Sequence, residues 1–347
     1  MKQLAAILAS TFLPLAAAPA LTAPLTLKEQ GSFFVGGESK AVTPAAAGIL
    51  PAQSGEITVN QMYVQYQVPL NGARHLPVVM VHGCCLSGKT WETTPDGRPG
   101  WSEFFLRRDR PVYLAEQVSR GRSGFDPTVI SEVRAGRLPP SQLPAVISAT
   151  HQLGWTVFRL GPVYGEAFAD QQFPMNAVDE LYKQMIPDLN ALLPAEANPT
   201  WTQLAALAVK LRGAVLMGHS ESGFFPERAA LVNPAGIRGI VSIEQPCLTD
   251  LPAAKIATLA KIPTLLMFGD HLGDIPPGGP VNWQQAFEGC KVFAAQLKAA
   301  DGDVEVMHLP ALGIRGNSHM LMQDRNSDRL ADLVIAWIDQ HVERHAR

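Results

Sequence analysis

Leu211-Arg212-Gly213-Ala214-Val215-Leu216-Met217-Gly218-His219-Ser220-Glu221-Ser222-Gly223 is the stretch on which the fold turns. A short apolar run, Ala214 to Met217, ends in Gly-His-Ser-Glu-Ser-Gly, which is close to the G-x-S-x-G pattern centred on Ser220 but carries Ser222 at the second glycine position and Gly223 one residue later. Between a strand and a helix this pattern lifts a serine hydroxyl onto a sharp elbow. The flanking glycines are needed because side chains there would collide with both elements. In a chain with 29 glycines the pattern also arises by chance, so its context decides. The run before it reads as a buried strand, and Phe224 to Val232 reads as a helix after it. Ser220 is therefore expected to be a nucleophile rather than a surface serine on an ordinary turn.

Outward from this elbow the chain keeps one rhythm. Upstream, Leu25 to Val35 ends at Gly36-Gly37, and Ile57 to Val68 alternates at strand period, which together suggest an antiparallel start. Pro77 to Val81 and Pro111 to Ala115 are continuous apolar strands of the kind buried on both faces of a parallel sheet. Downstream, strands at 237–243, 263–268 and 304–309 alternate with helices near 253–260, 283–299 and 328–342. The fold class expected is α/β, a mostly parallel sheet with helices on both faces. Residues 126–198, rich in proline, alanine and aromatic rings, break the rhythm and read as an insertion.

In such a sheet the reactive groups gather at the carboxyl ends of the strands. A serine hydroxyl needs a base within hydrogen-bond reach and a carboxylate to orient that base, in the chain order Ser, acid, His. His319 lies in the glycine-containing loop after the last strand, where the base belongs; His308 falls inside a strand, and His341 and His345 fall at the tail of the last helix. Two acids compete. Asp270 follows the next-to-last strand, the more usual position, and Glu244 follows the strand right after the nucleophile. Pattern alone leans to Asp270. Two backbone N–H groups must face the developing oxyanion, those of Glu221 and of Cys84 after His82-Gly83. A Glu221 carboxylate pointed into that hole would repel the charge, so its side chain should point away and be held by a donor.

The four cysteines, Cys84, Cys85, Cys247 and Cys290, have no paired C-x-x-C spacing, which argues against a zinc site. Adjacent Cα atoms lie about 3.8 Å apart, below the ~4.4–6.8 Å usual for bridged cysteines. A Cys84–Cys85 bond would close a strained ring. Two free thiols are the commoner outcome, but an exported chain and a place on the oxyanion loop favour the bridge. Export is suggested by Lys2, the apolar run Leu4 to Ala18 and the small-residue site Ala18-Pro19-Ala20, which mark 1–20 as a signal peptide and place the mature chain 21–347 in the periplasm or outside the cell. With Lys+Arg 28 against Asp+Glu 31 and no basic block, neither nucleic acid nor an anionic membrane is a natural partner, and no stretch is long enough to span a bilayer.

His82-Gly83-Cys84-Cys85, the Gly218 to Gly223 elbow, Ile243-Glu244-Gln245-Pro246 and Gly316-Asn317-Ser318-His319-Met320 together resemble a small group of secreted bacterial α/β-hydrolase esterases. The likeness covers nearly the whole mature chain. It implies an α/β-hydrolase fold with 126–198 as a cap, a vicinal Cys84–Cys85 disulfide and a Ser220–Glu244–His319 triad, so it moves the acid from Asp270 to Glu244. Glu221 departs from the glutamine of that group. The activity implied is a serine carboxylesterase acting on a small-molecule ester through an acyl-enzyme, with no cofactor. The same triad would also suit an amidase, lactonase or acyltransferase, and a non-catalytic hydrolase-fold binding protein is a more distant alternative. The oligomeric state, monomer or homodimer, is not legible in the sequence.

Overall fold

The computed structural model describes residues 23–344 apart from 44–50, 52, 190–192, 195 and 276–280. The expected signal peptide lies outside the described residues. Eight strands form one sheet: β1 (Leu27–Val42), β2 (Gly55–Pro69), β3 (Val78–Val81), β4 (Val112–Ala115), β5 (Ala214–His219), β6 (Ile237–Ile243), β7 (Thr264–Phe268) and β8 (Val304–His308). They run in the order β1-β2-β4-β3-β5-β6-β7-β8. The pairs β1–β2 and β2–β4 are antiparallel, and all others are parallel.

The first strand is longer than its sequence suggests. Gly36 and Gly37 have φ of 69° and 101°, values glycine adopts without a Cβ penalty. The ladder therefore passes through them in unbroken register, and Lys40 still pairs with Ile57. Reading the two glycines as a strand end was wrong because a partner strand was there to carry the pairing on.

The central strands are buried along their whole length. Alternation at strand period divides their side chains between two cores. Val78, Met80, Val215 and Met217 face Trp101 and Phe105 of α1 (Trp101–Leu106) and Val334 and Trp337 of α9 (Ser327–Ile338). Val79, Val81, Leu216 and Leu266 face the other helical layer: α5 (Pro199–Lys210), α6 (Phe225–Val232), α7 (Ala253–Leu259) and α8 (Trp283–Ala299). Each such side chain contributes about 1.5–3 kcal/mol on full burial, so the strands cannot slip by one residue without exchanging both cores.

Among the described residues, 126–198 hold three short α-helices, α2 (Thr128–Arg134), α3 (His151–Val157) and α4 (Val178–Gln184), with an isolated bridge between Ile147 and Asp188. Among the described residues no helix is long and apolar enough to cross a membrane. After β3 the chain turns to β4 on one side and later returns to β5 on the other. The crevice at the carboxyl ends of β3 and β5 is therefore a topological switch point, where open α/β sheets bind ligands.

Candidate active site

Ser220 sits at the end of β5 with φ of 57°. The turn is tight enough that a Cβ on Gly218 would lie 2.0 Å from the Ser222 carbonyl oxygen, and one on Gly223 would lie 2.4 Å from the Gln245 Cβ. The loop after β3 runs directly against the serine, since a Cβ on Gly83 would come within 2.8 Å of the Ser220 Cβ. This close approach sets the next residue, Cys84, beside the nucleophile. Cys85, Arg159 and Glu244 share the left-handed backbone, with φ of 58°, 53° and 56°. Such conformations cost about 1–3 kcal/mol each and collect where function constrains the chain.

Glu244 and His319 are fully buried and adjacent, with Oε2 3.4 Å from Nδ1. The second oxygen, Oε1, accepts from the Gly269 amide (2.6 Å) and from Arg159 Nη2 (2.6 Å). Burial would push the Glu244 carboxyl up, but the Arg159 charge and the hydrogen bonds from His319 and Arg159 hold it at about 2. Burial lowers the His319 imidazole against the opposing pull of Glu244, and Arg159 lowers it further. The ring is fixed on three sides: Phe158 stacks on it at 5.9 Å, Trp283 lies 4.2 Å away, and His219 lies 4.7 Å away. His219, the residue before Ser220, also bonds through Nε2 to the His319 carbonyl oxygen (2.9 Å). Burial and the neighbouring His319 push that imidazole down to about 3, which keeps it neutral. Among the described residues, His319 Nε2 has no hydrogen-bond partner.

Asp270 is placed elsewhere. Its Oδ1 accepts from the His271 amide (2.8 Å) and its Oδ2 from the Gly316 amide (3.0 Å). It braces the loop that carries His319 instead of meeting the imidazole. Asp324 holds the same loop from below, accepting from Ser318 N, Ser318 Oγ and Asn317 Nδ2. Glu221 is turned aside as expected, with Oε2 3.3 Å from Gln117 Nε2 and 3.4 Å from Arg120 Nη2. Arg120, also fully buried, bonds to the Asp188 carboxylate and to the Gly83 and Leu86 carbonyls.

Cys84 and Cys85 bring their sulfurs to 2.7 Å, without the bond expected between them. The bond that is formed joins Cys247 to Cys290. It ties the segment after Glu244 to α8. Its 43-residue separation is worth roughly 4 kcal/mol in chain entropy.

A cavity of about 280 Å³ opens on Ser220, with Cys84, Cys85 and Glu221 at its floor. Leu153, Val157 and Phe158 of the 126–198 segment and Trp283 of α8 form much of its apolar wall. Arg159, Arg120 and Asp188 were not singled out in the sequence. Their charges are buried, but nothing in their local sequence shows a partner 85, 101 or 68 residues away.

A strained serine on a strand–helix elbow, at the switch point of a parallel sheet, defines a hydrolase of the α/β class. No family model matches the chain. A solved structure of a bacterial esterase is 44% identical, superposes with a TM-score of 0.87, and aligns over 94% of this chain and 99% of its own. The "Probable secreted lipase phiG" of a fungal species (strain ATCC 74256) is 27% identical in an alignment 324 residues long that covers 80% of this chain and 86% of that protein. The chain belongs to the esterase/lipase-like family of α/β-hydrolases.

Proposed function

We propose that this carboxylic ester hydrolase works through an acyl-enzyme on Ser220. The observation that carries the reading is the buried Glu244–His319 pair, bonded to His219 of the elbow whose Ser220 lines an apolar cavity. His319 Nε2 takes the Ser220 proton as Oγ attacks the ester carbonyl, then returns it to the leaving alcohol. Glu244 orients the ring and stabilises the imidazolium. The amides of Cys84 and Glu221 receive the oxyanion, and water then releases the acid. Catalytic hydrogen bonds in unliganded enzymes are often long and tighten with substrate, which accommodates the 3.4 Å separation of Glu244 and His319. Residues 126–198 act as a cap, and their apolar wall selects small, uncharged acyl groups.

The test is labelling by a fluorophosphonate. One equivalent is expected on the wild-type chain and none on Ser220→Ala, which should also lose ester hydrolysis. Labelling that survives the substitution would remove Ser220 from the mechanism. A panel of p-nitrophenyl esters, amides and lactones should show esters turned over fastest; faster amide or lactone turnover would reassign the substrate class.

Cys84 and Cys85 form a vicinal disulfide in the oxidised, exported enzyme and so fix the Cys84 amide. Their sulfurs have little distance to close. Intact mass without reductant should show two bonds, and mild reduction should restore two thiols and lower activity. Unchanged activity after reduction would refute the role of this bond. The secreted name of the fungal relative and the leader-like residues 1–20 support export to the periplasm or beyond.

A further inference from the structure

The geometry points to Arg159 as the positioning residue that sets the basicity of His319 through its charge, keeping the imidazole neutral in acid. The inference rests on the triad proposed above. Arg159 comes from the insertion, yet its guanidinium is completely buried between acid and base. Nη2 donates to Glu244 Oε1 (2.6 Å), Nη1 lies 3.3 Å from His319 Nδ1, and Nε donates to the Asp270 carbonyl (2.8 Å). The face of Trp283 lies 5.5 Å from it. The same segment grips the base by its backbone, since the Phe158 carbonyl accepts the His319 N–H (2.9 Å).

An arginine can only donate, so it makes no bond to an Nδ1–H that faces Glu244, and its adjacent positive charge opposes protonation of the ring. Its positive charge also cancels much of the Glu244 charge that would otherwise raise the imidazole. Both effects act in one direction. Glu244 and Arg159 are the charged groups that act on the His319 imidazole. His219 from β5 is held neutral by burial and the neighbouring imidazole, Asp324 in its own loop and Asp270 after β7 are carboxyl groups, His308 ends β8, and the Arg315 charge in the His319 loop acts on Asp270. A base that must be neutral to accept the serine proton is active above its pKa. A lowered pKa therefore extends activity toward acid.

The experiment is the pH profile of kcat/KM on a short-chain ester for the wild-type full chain, Arg159→Gln and Arg159→Lys, with the released alcohol quantified by chromatography. The wild-type acidic limb should lie below the ordinary histidine value of about 6.5. Arg159→Gln keeps a donor but loses the charge, and its limb should move up by about one pH unit. Arg159→Lys keeps the charge and should hold the limb near wild type while the plateau falls, because it lacks the planar fork. A wild-type limb at or above the ordinary value overturns the proposal whether or not either variant folds. An unmoved limb in Arg159→Gln, or equal movement in both variants, also overturns it. Loss of labelling and turnover in Ser220→Ala beside such a result would leave the triad standing and remove only the role of Arg159.

Discussion

Glu244→Gln is expected to lower kcat/KM about ten-thousand-fold, whereas Asp270→Asn should stay within about tenfold. The first figure is that of other triads whose acid is neutralised with its geometry kept. In Glu244→Gln the amide no longer stabilises the imidazolium, and it leaves Arg159 buried without its carboxylate. Breaking a buried pair from one side costs about 3–5 kcal/mol, so activity must be normalised to folded enzyme by active-site titration. Among the described residues, Asp270 accepts two backbone N–H groups, one from its own loop and one from the neighbouring loop. Asparagine keeps one acceptor, and a single lost hydrogen bond is worth about 1 kcal/mol. The measurement is steady-state hydrolysis of a short-chain ester by both variants. A large loss in Asp270→Asn with a small one in Glu244→Gln would return the acid role to Asp270.

The second large effect is on stability. Arg120→Met should destabilise the chain by about 3–5 kcal/mol, read as a fall in the denaturation midpoint. Asp188, fully buried, pairs with Arg120, and the Gly83 and Leu86 carbonyls accept from the same guanidinium. The methionine fills the space but satisfies none of them. Because Gly83 precedes Cys84, turnover should fall beyond the loss of folded protein as the loop beside Ser220 loosens. A variant with wild-type stability would show that Arg120 is dispensable to this network.

The framework is legible in the sequence because its determinants are local. Continuous apolar runs such as Val78–Val81 and Thr264–Phe268 can be satisfied only by burial on both faces. The helical stretches between them supply the cover. The elbow is legible for a similar reason: glycines two before and three after Ser220 describe a turn whose collisions can be counted without knowing the rest of the chain. The strand break expected at Gly36-Gly37 fails on the same logic, since a glycine pair leaves a strand free to end or continue, and here β2 lets it continue.

The choice between the two carboxylates was beyond local reading. Glu244 and Asp270 end neighbouring strands and differ by one methylene, and only the loop carrying Gly316 and His319 decides which of them faces the ring. Arg159 is illegible for a stronger reason. Its segment has no strand or helix rhythm, and its partners lie 85 and 160 residues downstream. The Cys247–Cys290 bond likewise depends on α8 lying against the segment after β6. By itself, then, the sequence determined a parallel sheet with a serine on its central elbow and a histidine on its last loop, because periodicity and steric exclusion act between near neighbours. Tertiary structure alone decided which charges meet in the dry interior, because burial obliges each to find a partner wherever in the chain that partner lies.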